Sequence, residues 1–345
     1  KNILHQINIV TNLLNLCMDT KQKIEEAQTV LDAGGNVIKT RDDRELILVD
    51  KDGKVQNADA CGWLPDTSEV NKTIFRSRIE PWLTSLFQSE HLSLLCGSGI
   101  TNAISFLAGA SGGATMGLTT FTKYKDEIKA FAEVSAKASG RENGNIEDQI
   151  RTANDLLRGL KILKKDAEAT ALETELNSII SEFAKSILRT ENSIATANED
   201  KRENAYSVLV NFLLSFASRT GNRERLNIFT TNYDRLIEVG AELAGVHLMD
   251  RFVGTMMPVF RSSRLNLDIH YNPPGIRGEP RYLEGVARLT KLHGSVDWIQ
   301  NGSEIRRVGV PLGADDIAPY LNAPGLQSAD ALKLMIYPNS AKDRE

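Results

Sequence analysis

The chain has 345 residues, of which 41% are hydrophobic and 25% are charged, the balance of an ordinary soluble globular protein. This length predicts about two domains, or one large domain with an insertion. Its 41 Lys and Arg residues stand against 45 Asp and Glu residues, which gives a net charge of −4. Nucleic-acid-binding proteins normally carry a positive excess, because phosphate neutralisation supplies most of their affinity. Direct binding of DNA or RNA is therefore not expected.

The three cysteines, Cys17, Cys61 and Cys96, are too few and too scattered to form a disulfide framework. No two of them have the C-x-x-C spacing of a zinc site. Both observations fit a reducing cytoplasm. We predict a cytoplasmic protein that holds no zinc or other metal.

Residues 1–90 are predicted to form an N-terminal extension of one helix and a hairpin. The helix is indicated by apolar residues at helical spacing without a signal-peptide cleavage pattern, namely Ile3, Leu4, Ile7, Val10, Leu14 and Cys17. The hairpin is predicted over Asn36–Asn57, where Asp52-Gly53 supplies a tight turn. A further helix over Ile74–Gln88 is expected to be interrupted, or to restart, at Pro81.

The segment His91–Thr122 contains no Asp, Glu, Lys or Arg, and its length could cross a bilayer. Six glycines among many Ser and Thr residues make it poor material for a lipid-facing helix. The apolar run Leu92–Cys96 instead suits a central parallel strand. We predict a buried strand, a glycine loop and a close-packed helix start, which form the heart of a ligand site. No association with a membrane is expected.

A helical insertion is predicted over residues 123–205, which are rich in Ala, Glu, Lys and Asn and lack Pro. Two amphipathic helices are indicated by apolar residues at steps of three and four, first Ile146, Ile150, Ala153, Leu157 and Leu160, then Leu176, Ile180, Phe183 and Ile187. Asn145 is a plausible N-cap for the first of them. The adjacent Glu147 and Asp148 resemble a catalytic carboxylate pair, but helix-start chemistry is the favoured interpretation.

Short apolar strands alternate with helices in the rest of the chain. The predicted elements are a helix over Tyr206–Ala217, a strand over Leu226–Thr230, a helix over Asp234–Ala244, and strands over Leu289–Leu292 and Leu334–Tyr337. This alternation is typical of α/β proteins. The predicted fold class is α/β, with a Rossmann-like, mostly parallel sheet and a helical insertion within a domain over residues 91–345.

Three strand ends carry unusual polar residues, and ligands of parallel sheets bind beyond such ends. The first is the run Gly97-Ser98-Gly99 with Thr101 and Asn102 after it. Its glycines would let main-chain N–H groups and a helix N-terminus hold a pyrophosphate. A plain strand-to-helix turn explains the same run equally well, because the third glycine of the usual dinucleotide fingerprint is missing.

The second strand end carries Thr231, Asn232 and Asp234, and the third carries His293 with Gly294 and Ser295 after it. Asn and Asp side chains there can bind ribose hydroxyls or position a water molecule. Asn232 is alternatively a turn former and Asp234 a helix cap. The histidine at the third strand end is placed to reach the same crevice and to act as a base near neutral pH.

The ordered motifs GSGIT, TTNYD and KLHGS resemble the NAD-binding core of the sirtuin family. They are most similar to sirtuin-like domains of prokaryotic antiphage defence proteins, over residues 92–298 without the insertion. The resemblance implies NAD as the ligand and substrate, with Gly97, Ser98 and Gly99 at its phosphates. Asn232 would position water or ribose, and His293 would act as a base or bind a ribose hydroxyl. The further NAD-binding residues that it implies are Thr101, Asn102, Thr231, Asp234, Gly294 and Ser295.

Three features depart from the family's pattern. Deacetylating sirtuins carry four zinc-binding cysteines after the catalytic histidine, whereas no cysteine follows Cys96 here. Their glycine loop leads into a Pro-Asp-Phe-Arg segment, whereas this chain continues from Asn102 as NAISFLAGASGG. The strands that bind the adenosine half would follow Glu345, so the C-terminal part of the domain is expected to be incomplete.

Without the zinc module, half of the usual peptide channel is missing, and nothing in the insertion is recognisable as its replacement. The sequence therefore predicts hydrolysis of NAD to nicotinamide and ADP-ribose, as in defence systems that deplete NAD. The alternatives are an NAD-dependent protein deacylase or ADP-ribosyltransferase, a non-catalytic NAD or ADP-ribose sensor, and a pure assembly subunit. Similar domains act beside HerA-type ring ATPases or within larger defence proteins. The resemblance therefore implies a HerA-type ATPase or another defence-system subunit as a partner, and the apolar stripes of the N-terminal and inserted helices predict a homo-oligomer.

Overall fold

The computed structural model describes residues 25–26, 28–38, 47–52, 54–55, 72–110, 117–219, 223–264, 267–274, 281–301 and 303–321. The chain divides into two compact units, Lys1–Gln88 and Ser89–Glu345. Two predicted elements, the opening helix over residues 3–17 and the strand Leu334–Tyr337, lie outside the described residues.

The first unit contains the predicted hairpin strands, but its tight turn lies elsewhere. Residues 28–32 are helical, and strands β1 (Asn36–Ile38) and β2 (Ile47–Val49) pair antiparallel. The turn at Asp52 follows β2 instead of joining the two strands. It folds the chain back so that Val55 forms a bridge with Val49. The Asp50 carboxylate stabilises this turn by accepting the Asp52 N–H at 2.9 Å.

Helix α1 (Lys72–Phe87) runs without interruption through Pro81, so the predicted break is wrong. The fixed φ of proline suits a helix, and the missing N–H removes one main-chain hydrogen bond. The carbonyl group that would accept that bond belongs to Ser77, which is exposed to solvent.

The second unit is built on a four-stranded parallel sheet. The strands described in this unit are β3 (Ser93–Cys96), β4 (Leu226–Thr230), β5 (His247–Met249), β6 (Phe252–Val253), β7 (Val259–Phe260), β8 (His270–Tyr271), β9 (Arg281–Tyr282), β10 (Val286–Lys291), β11 (Trp298–Asn301) and β12 (Glu304–Arg307). Strands β3, β4, β10 and β5 lie side by side in that order, and every neighbouring pair is parallel. The α/β class is confirmed by this sheet and the helices described below.

Strand β3 was expected to be central, but it is an edge strand of the sheet as far as the described strands show. Among the described strands it pairs with β4 alone, and Leu95 is 71% exposed. An apolar run predicts burial within a sheet, but it carries no information about the order of the strands. Cys96, the last residue of β3, is buried as expected.

The described residues of the second unit form six α-helices. They are α2 (Ser98–Ala108), α3 (Lys125–Ala138), α4 (Ile146–Ile162), α5 (Asp166–Ala195), α6 (Glu199–Ala217) and α7 (Leu236–Leu243), and short 3₁₀ turns cover Ser262–Arg264 and Ala318–Leu321. Helix α6 begins at Glu199, whereas the sequence predicted a start at Tyr206. The prediction was late because the first residues of the helix are polar and an apolar pattern does not detect them. Among the described residues, no helix has the length and apolar character needed to cross a bilayer.

The helical insertion shares one hydrophobic core with the loops at the strand ends. All nine apolar residues that defined its two predicted stripes are buried, which confirms both amphipathic helices. They pack in one cluster with Tyr233 after β4, Val296 after β10, and Val308 and Val310 after β12. The insertion therefore lies against the carboxyl ends of the parallel strands.

A second sheet was not predicted. Strands β11, β12, β7 and β6 form it in that order, and all of its neighbouring pairs are antiparallel. These strands are two to four residues long and mostly half-buried, so they leave no apolar run in the sequence. Strands β8 and β9 form a separate antiparallel pair.

Candidate functional site

A cavity of about 220 Å³ lies where β3, β4 and β10 end. All three sequence motifs contribute to its wall, as the parallel sheet predicts. The lining residues are Ser98, Thr101 and Asn102 from the first motif, Thr231, Asn232, Tyr233 and Asp234 from the second, His293 from the third, and Glu147, Phe183, Ile187 and Thr190 from the insertion.

The N-terminus of α2 is open to a ligand. Gly97 is its N-cap residue in an extended conformation and supplies no side-chain hydrogen bond to the helix. The Ile100 N–H donates to the Gly97 carbonyl oxygen at 3.2 Å, and the two N–H groups before it stand where a helix offers no internal acceptor, so they can receive an anion. A Cβ atom added at Gly97 or Gly99 would meet no atom within 4 Å. Neither packing nor backbone conformation of the protein itself therefore requires these two glycines.

The orientation of Asn232 is fixed by its own amide group. Its Nδ2 donates to the Gly97 carbonyl oxygen and to Thr101 Oγ1, both at 3.0 Å. A main-chain carbonyl oxygen can only accept, so the atom facing Gly97 must be the amide nitrogen. Both N–H bonds of the amide are thus used within the protein. The Oδ1 atom is left to accept a hydrogen bond from a ligand or a water molecule.

Asp234 performs a structural task with each carboxylate oxygen. Oδ1 accepts the Leu236 N–H at 3.1 Å, which caps the turn before α7, and Oδ2 accepts the Thr101 hydroxyl at 2.7 Å. The same hydroxyl accepts from Asn232, so Asp234 acts on that amide through Thr101. Asp234 therefore fits both interpretations, because Oδ1 caps the turn and Oδ2 takes part in the site.

A buried lysine secures the same loop from the neighbouring strand. Lys291, the last residue of β10, donates from Nζ to the Asp234 carbonyl oxygen and to Glu238 Oε1. Burial raises the pKa of Glu238, against the opposing effect of the Lys291 charge. This contact holds the ends of β4 and β10 together.

His293 lies in the cavity wall, beside the ring of Tyr233, with ring centroids 6.0 Å apart. Gly294 follows with φ of +80°, a left-handed conformation that favours glycine. Ser295 is fully buried, and its hydroxyl donates to the Tyr233 carbonyl oxygen at 3.3 Å. Gly294 and Ser295 thus form the turn behind His293, and neither is among the cavity-lining residues.

The other histidines lie elsewhere or outside the description. His91 is exposed and pairs with Glu224 at 2.7 Å, and His270 is exposed in β8 beside Tyr282. His247 is exposed in β5, and His5 lies outside the described residues. Of the four described histidines, only His293 lines the cavity.

The insertion contributes residues that the sequence did not assign to the site. Asp148 does have the expected helix-start role, because it forms a capping box with Asn145, the predicted N-cap, and pairs with Arg141 and Arg151. Glu147 instead faces the cavity and accepts the Tyr233 hydroxyl at 2.9 Å. The two carboxylates do not act as a pair. Glu147 has a different role from Asp148 because of its tertiary contact with Tyr233, and the sequence contains no signal for that contact.

Two apolar residues of α5, Phe183 and Ile187, complete the cavity wall. Phe183 packs edge-to-face on Tyr233, with ring centroids 5.8 Å apart. Both residues belong to the predicted apolar stripe. An apolar pattern shows that a residue is buried, but it does not show whether that residue lines a cavity or packs in the core.

A buried ion pair anchors the insertion to the second motif. Glu191 of α5 accepts from Arg235 Nη2 at 2.6 Å and from the Arg235 main-chain N–H at 2.6 Å. Arg235 also donates to the Val310 carbonyl oxygen. Burial raises the pKa of Glu191, and the adjacent Arg235 opposes this rise. The loop that carries Asn232 is therefore fastened to the insertion one helical turn beyond Ile187.

Within the described residues, no group of three His, Cys, Asp or Glu side chains could hold a metal ion. The absence of zinc stays a prediction. The chain matches no protein-family model and no curated protein sequence. The sirtuin resemblance therefore rests on the three motifs.

Proposed function

We propose that this protein is an NAD hydrolase with a Rossmann-like, sirtuin-like nucleotide site, which releases nicotinamide and ADP-ribose. One observation carries the proposal. The three motifs meet at one cavity in which Asn232 presents a carbonyl oxygen and His293 presents an imidazole. An acceptor for a water proton and a titratable base are the groups that hydrolysis of a glycosidic bond needs.

The cavity size and the helix N-terminus suggest how NAD would lie. A cavity of about 220 Å³ is smaller than the usual pocket for a drug-sized ligand, so it suits only part of a dinucleotide. The nicotinamide and its ribose would occupy it. The diphosphate would lie over the open space at Gly97 and Gly99, where the first N–H groups of α2 and its dipole favour negative charge.

In the proposed reaction, the bond between the ribose C1′ and the nicotinamide nitrogen breaks, and the bonding electrons leave with nicotinamide. A water oxygen forms the new bond to C1′. The Asn232 carbonyl oxygen would orient this water or a ribose hydroxyl, and His293 would accept the proton or bind a ribose hydroxyl. Thr101 and Asp234 act as positioning residues, because their hydrogen bonds hold the Asn232 amide.

Water is the favoured acceptor because the insertion walls the cavity. Glu147, Phe183, Ile187 and Thr190 of the insertion line the cavity together with the strand-end residues, and a water molecule needs less space there than an acyl-lysine peptide does. We further propose that the protein works as an oligomer in an antiphage defence system, beside a HerA-type ATPase or another subunit that controls it. Fold-level analogy alone supports this assignment.

The test is to incubate the purified protein with NAD in water enriched in ¹⁸O and to analyse the products by mass spectrometry. Hydrolysis yields nicotinamide and ADP-ribose with one ¹⁸O atom. A parallel reaction contains an acetylated peptide. Deacetylated peptide with acetyl-ADP-ribose, or ADP-ribose attached to protein, would replace the hydrolase by a deacylase or a transferase. NAD binding without any product would indicate a sensor.

A further inference from the structure

The face of α5 that lines the cavity combines two apolar side chains with one hydroxyl. Phe183, Ile187 and Thr190 follow one another at steps of four and three residues, so they lie on the same side of the helix. None of the three belongs to the sequence motifs, and the proposed reaction uses them only as a wall. They are the part of the cavity that α5 adds to the strand ends.

Thr190 can only accept a hydrogen bond from a ligand. It is buried, and its hydroxyl donates to the Ser186 carbonyl oxygen, one turn earlier in α5, at 3.0 Å. A carbonyl oxygen has no hydrogen to donate, so the direction of this bond is fixed. A hydroxyl has one hydrogen and two lone pairs. What Thr190 Oγ1 can offer to a ligand is therefore a lone pair.

The buried side chains at the strand ends have the same character. Asn232 uses both amide hydrogens on the Gly97 carbonyl oxygen and on Thr101 Oγ1. Thr101 in turn donates its hydroxyl hydrogen to Asp234 Oδ2 at 2.7 Å. Asn232 Oδ1 can therefore accept a hydrogen bond from a ligand, and neither residue has a hydrogen left to donate.

Acceptors thus dominate the buried part of the cavity. Tyr233, a further buried lining residue with a hydroxyl, donates it to Glu147 Oε1 at 2.9 Å. Among the lining residues that the structure describes, each buried side chain with an N–H or O–H group thus uses it within the protein. Ser98 and Asn102, whose side chains also carry donors, are exposed.

This lining discriminates between the ring substituents of pyridine nucleotides. A carboxamide has two N–H bonds and can donate to the Thr190 and Asn232 oxygens, whereas a carboxylate only accepts. A carboxylate would face lone pairs with no hydrogen between them, and burying a charge without a hydrogen-bond partner is costly. The apolar side chains of Phe183 and Ile187 beside Thr190 suit the faces of the pyridine ring.

We infer that this face of α5 is the nicotinamide subsite, in which Thr190 accepts a hydrogen bond from the carboxamide and rejects dinucleotides whose ring carries a carboxylate. The inference rests on the proposed function, and it adds a specificity-determining residue from the insertion. No covalent step is involved. The carboxamide is unchanged when the bond to ribose breaks, so Thr190 binds the ground state and the transition state equally and acts on KM rather than on kcat.

The experiment compares wild type with Thr190→Val, Thr190→Ser and the control Thr174→Val. Valine keeps the shape of threonine without the hydroxyl, and serine keeps the hydroxyl. Thr174 is an exposed residue of α5 outside the cavity lining, and its hydroxyl makes the same bond, to the Thr170 carbonyl oxygen at 2.9 Å. Thr174→Val therefore reproduces the change within the helix without touching the cavity. Thermal melts check that all variants are folded.

Each protein receives NAD or nicotinic acid adenine dinucleotide, which carries a carboxylate in place of the carboxamide, and kcat and KM are measured for both. The Kd of each dinucleotide is measured in the His293→Ala background, in which we expect turnover to stop. Ile187→Val is added to test the ring contact. It shortens the apolar wall and leaves the hydroxyl of Thr190 in place.

Wild type should prefer NAD by about 10²-fold or more in kcat/KM, because its acceptors are left facing the carboxylate of the other dinucleotide. Thr190→Val should raise KM for NAD about 2-fold to 10-fold, the effect of one neutral hydrogen bond, with little change in kcat. Its preference for NAD should fall at least about tenfold. Thr190→Ser and Thr174→Val should keep the wild-type preference. Ile187→Val should weaken both dinucleotides alike.

Failure of this inference and failure of the hydrolase proposal give different results. If wild type cleaves both dinucleotides equally well, or if Thr190→Val keeps the full preference, the inference is overturned and hydrolysis stands. If no protein cleaves NAD, but NAD binds more tightly than its carboxylate analogue and Thr190→Val abolishes that difference in Kd, the hydrolase proposal falls and the subsite stands. Equal Kd values for the two dinucleotides with Thr190 present would overturn the inference whatever the turnover.

Discussion

Replacing Gly99 by alanine should stabilise the protein and weaken its binding of NAD. Gly99 is the second residue of α2, and a Cβ atom there would meet nothing within 4 Å of the protein. Alanine is the better helix former, by roughly 0.5–1 kcal/mol in a helix interior and near the lower end in a first turn. We therefore expect Gly99→Ala to raise the free energy of unfolding by about 0.5 kcal/mol. For a unit of this size that corresponds to a melting temperature about 1–2 °C higher.

The expected loss in binding follows from the same open space. If the NAD diphosphate approaches the first turn of α2, the new methyl group lies in its path and weakens at least one hydrogen bond to a charged oxygen. Such a bond contributes about 1.5–3 kcal/mol, which corresponds to a Kd roughly 10-fold to 150-fold higher. Calorimetry in the His293→Ala background measures this Kd, and a thermal melt without NAD measures stability.

Gly159 supplies the matched control. It lies inside α4, away from the cavity lining, and a Cβ atom there also meets nothing within 4 Å. Gly159→Ala should therefore stabilise the protein by up to about 1 kcal/mol and leave NAD binding unchanged. If Gly99→Ala binds NAD as tightly as Gly159→Ala does, the diphosphate does not lie over α2 and the proposed orientation of NAD is wrong.

Three further substitutions or measurements test other parts of the site. Asp234→Ala should lose part of the NAD turnover and about 1 kcal/mol of stability, because the Asp234 carboxylate both caps a turn and orients Thr101. The control His270→Ala should equal wild type in turnover and in melting temperature. Glu191→Gln leaves the Arg235 charge buried without its partner and should lower the free energy of unfolding by about 3–5 kcal/mol. The surface change Glu173→Gln should lower it by less than about 1 kcal/mol. Equal melting temperatures of the two variants would contradict the anchoring role of the Glu191–Arg235 pair. Burial raises the pKa of the Cys96 thiol to about 11, so its alkylation rate, followed by peptide mass spectrometry, should still rise about tenfold per pH unit from pH 8 to 10. A rate that levels off near pH 8.5, the range of an ordinary thiol, would show that Cys96 is not buried as described.

Elements that bury a regular apolar pattern could be predicted from the sequence. Strand β4 begins and ends at Leu226 and Thr230 as predicted, and the stripes of α4 and α5 are buried throughout. The N-cap at Asn145 was predictable because its side chain and Asp148 satisfy main-chain groups within one turn. In each case the signal is local to a few consecutive turns or residues.

What depends on distant contacts could not be predicted. An apolar run does not reveal that β3 lies at an edge, and two-residue strands such as β6 leave no pattern at all. The motifs indicated which segments meet, but the hydrogen bonds of Asn232 to Gly97 and Thr101 join residues more than 130 positions apart. Glu147 was assigned to helix-start chemistry for the same reason, because only its contact with Tyr233 brings it to the cavity.

The central claim is that this cavity cleaves the nicotinamide–ribose bond, and single-turnover cleavage of NAD tests it most directly. Wild type, Asn232→Ala and His293→Ala are each mixed in excess with NAD labelled in the nicotinamide ring, and released nicotinamide is followed over hours. Excess enzyme makes cleavage visible even if a partner normally holds the activity in check. We expect wild type to convert all bound NAD, and both variants to do so about 10²–10⁴-fold more slowly while they remain folded and bind NAD. Bound NAD that stays intact with wild type, or equal cleavage by wild type and His293→Ala, would contradict the account.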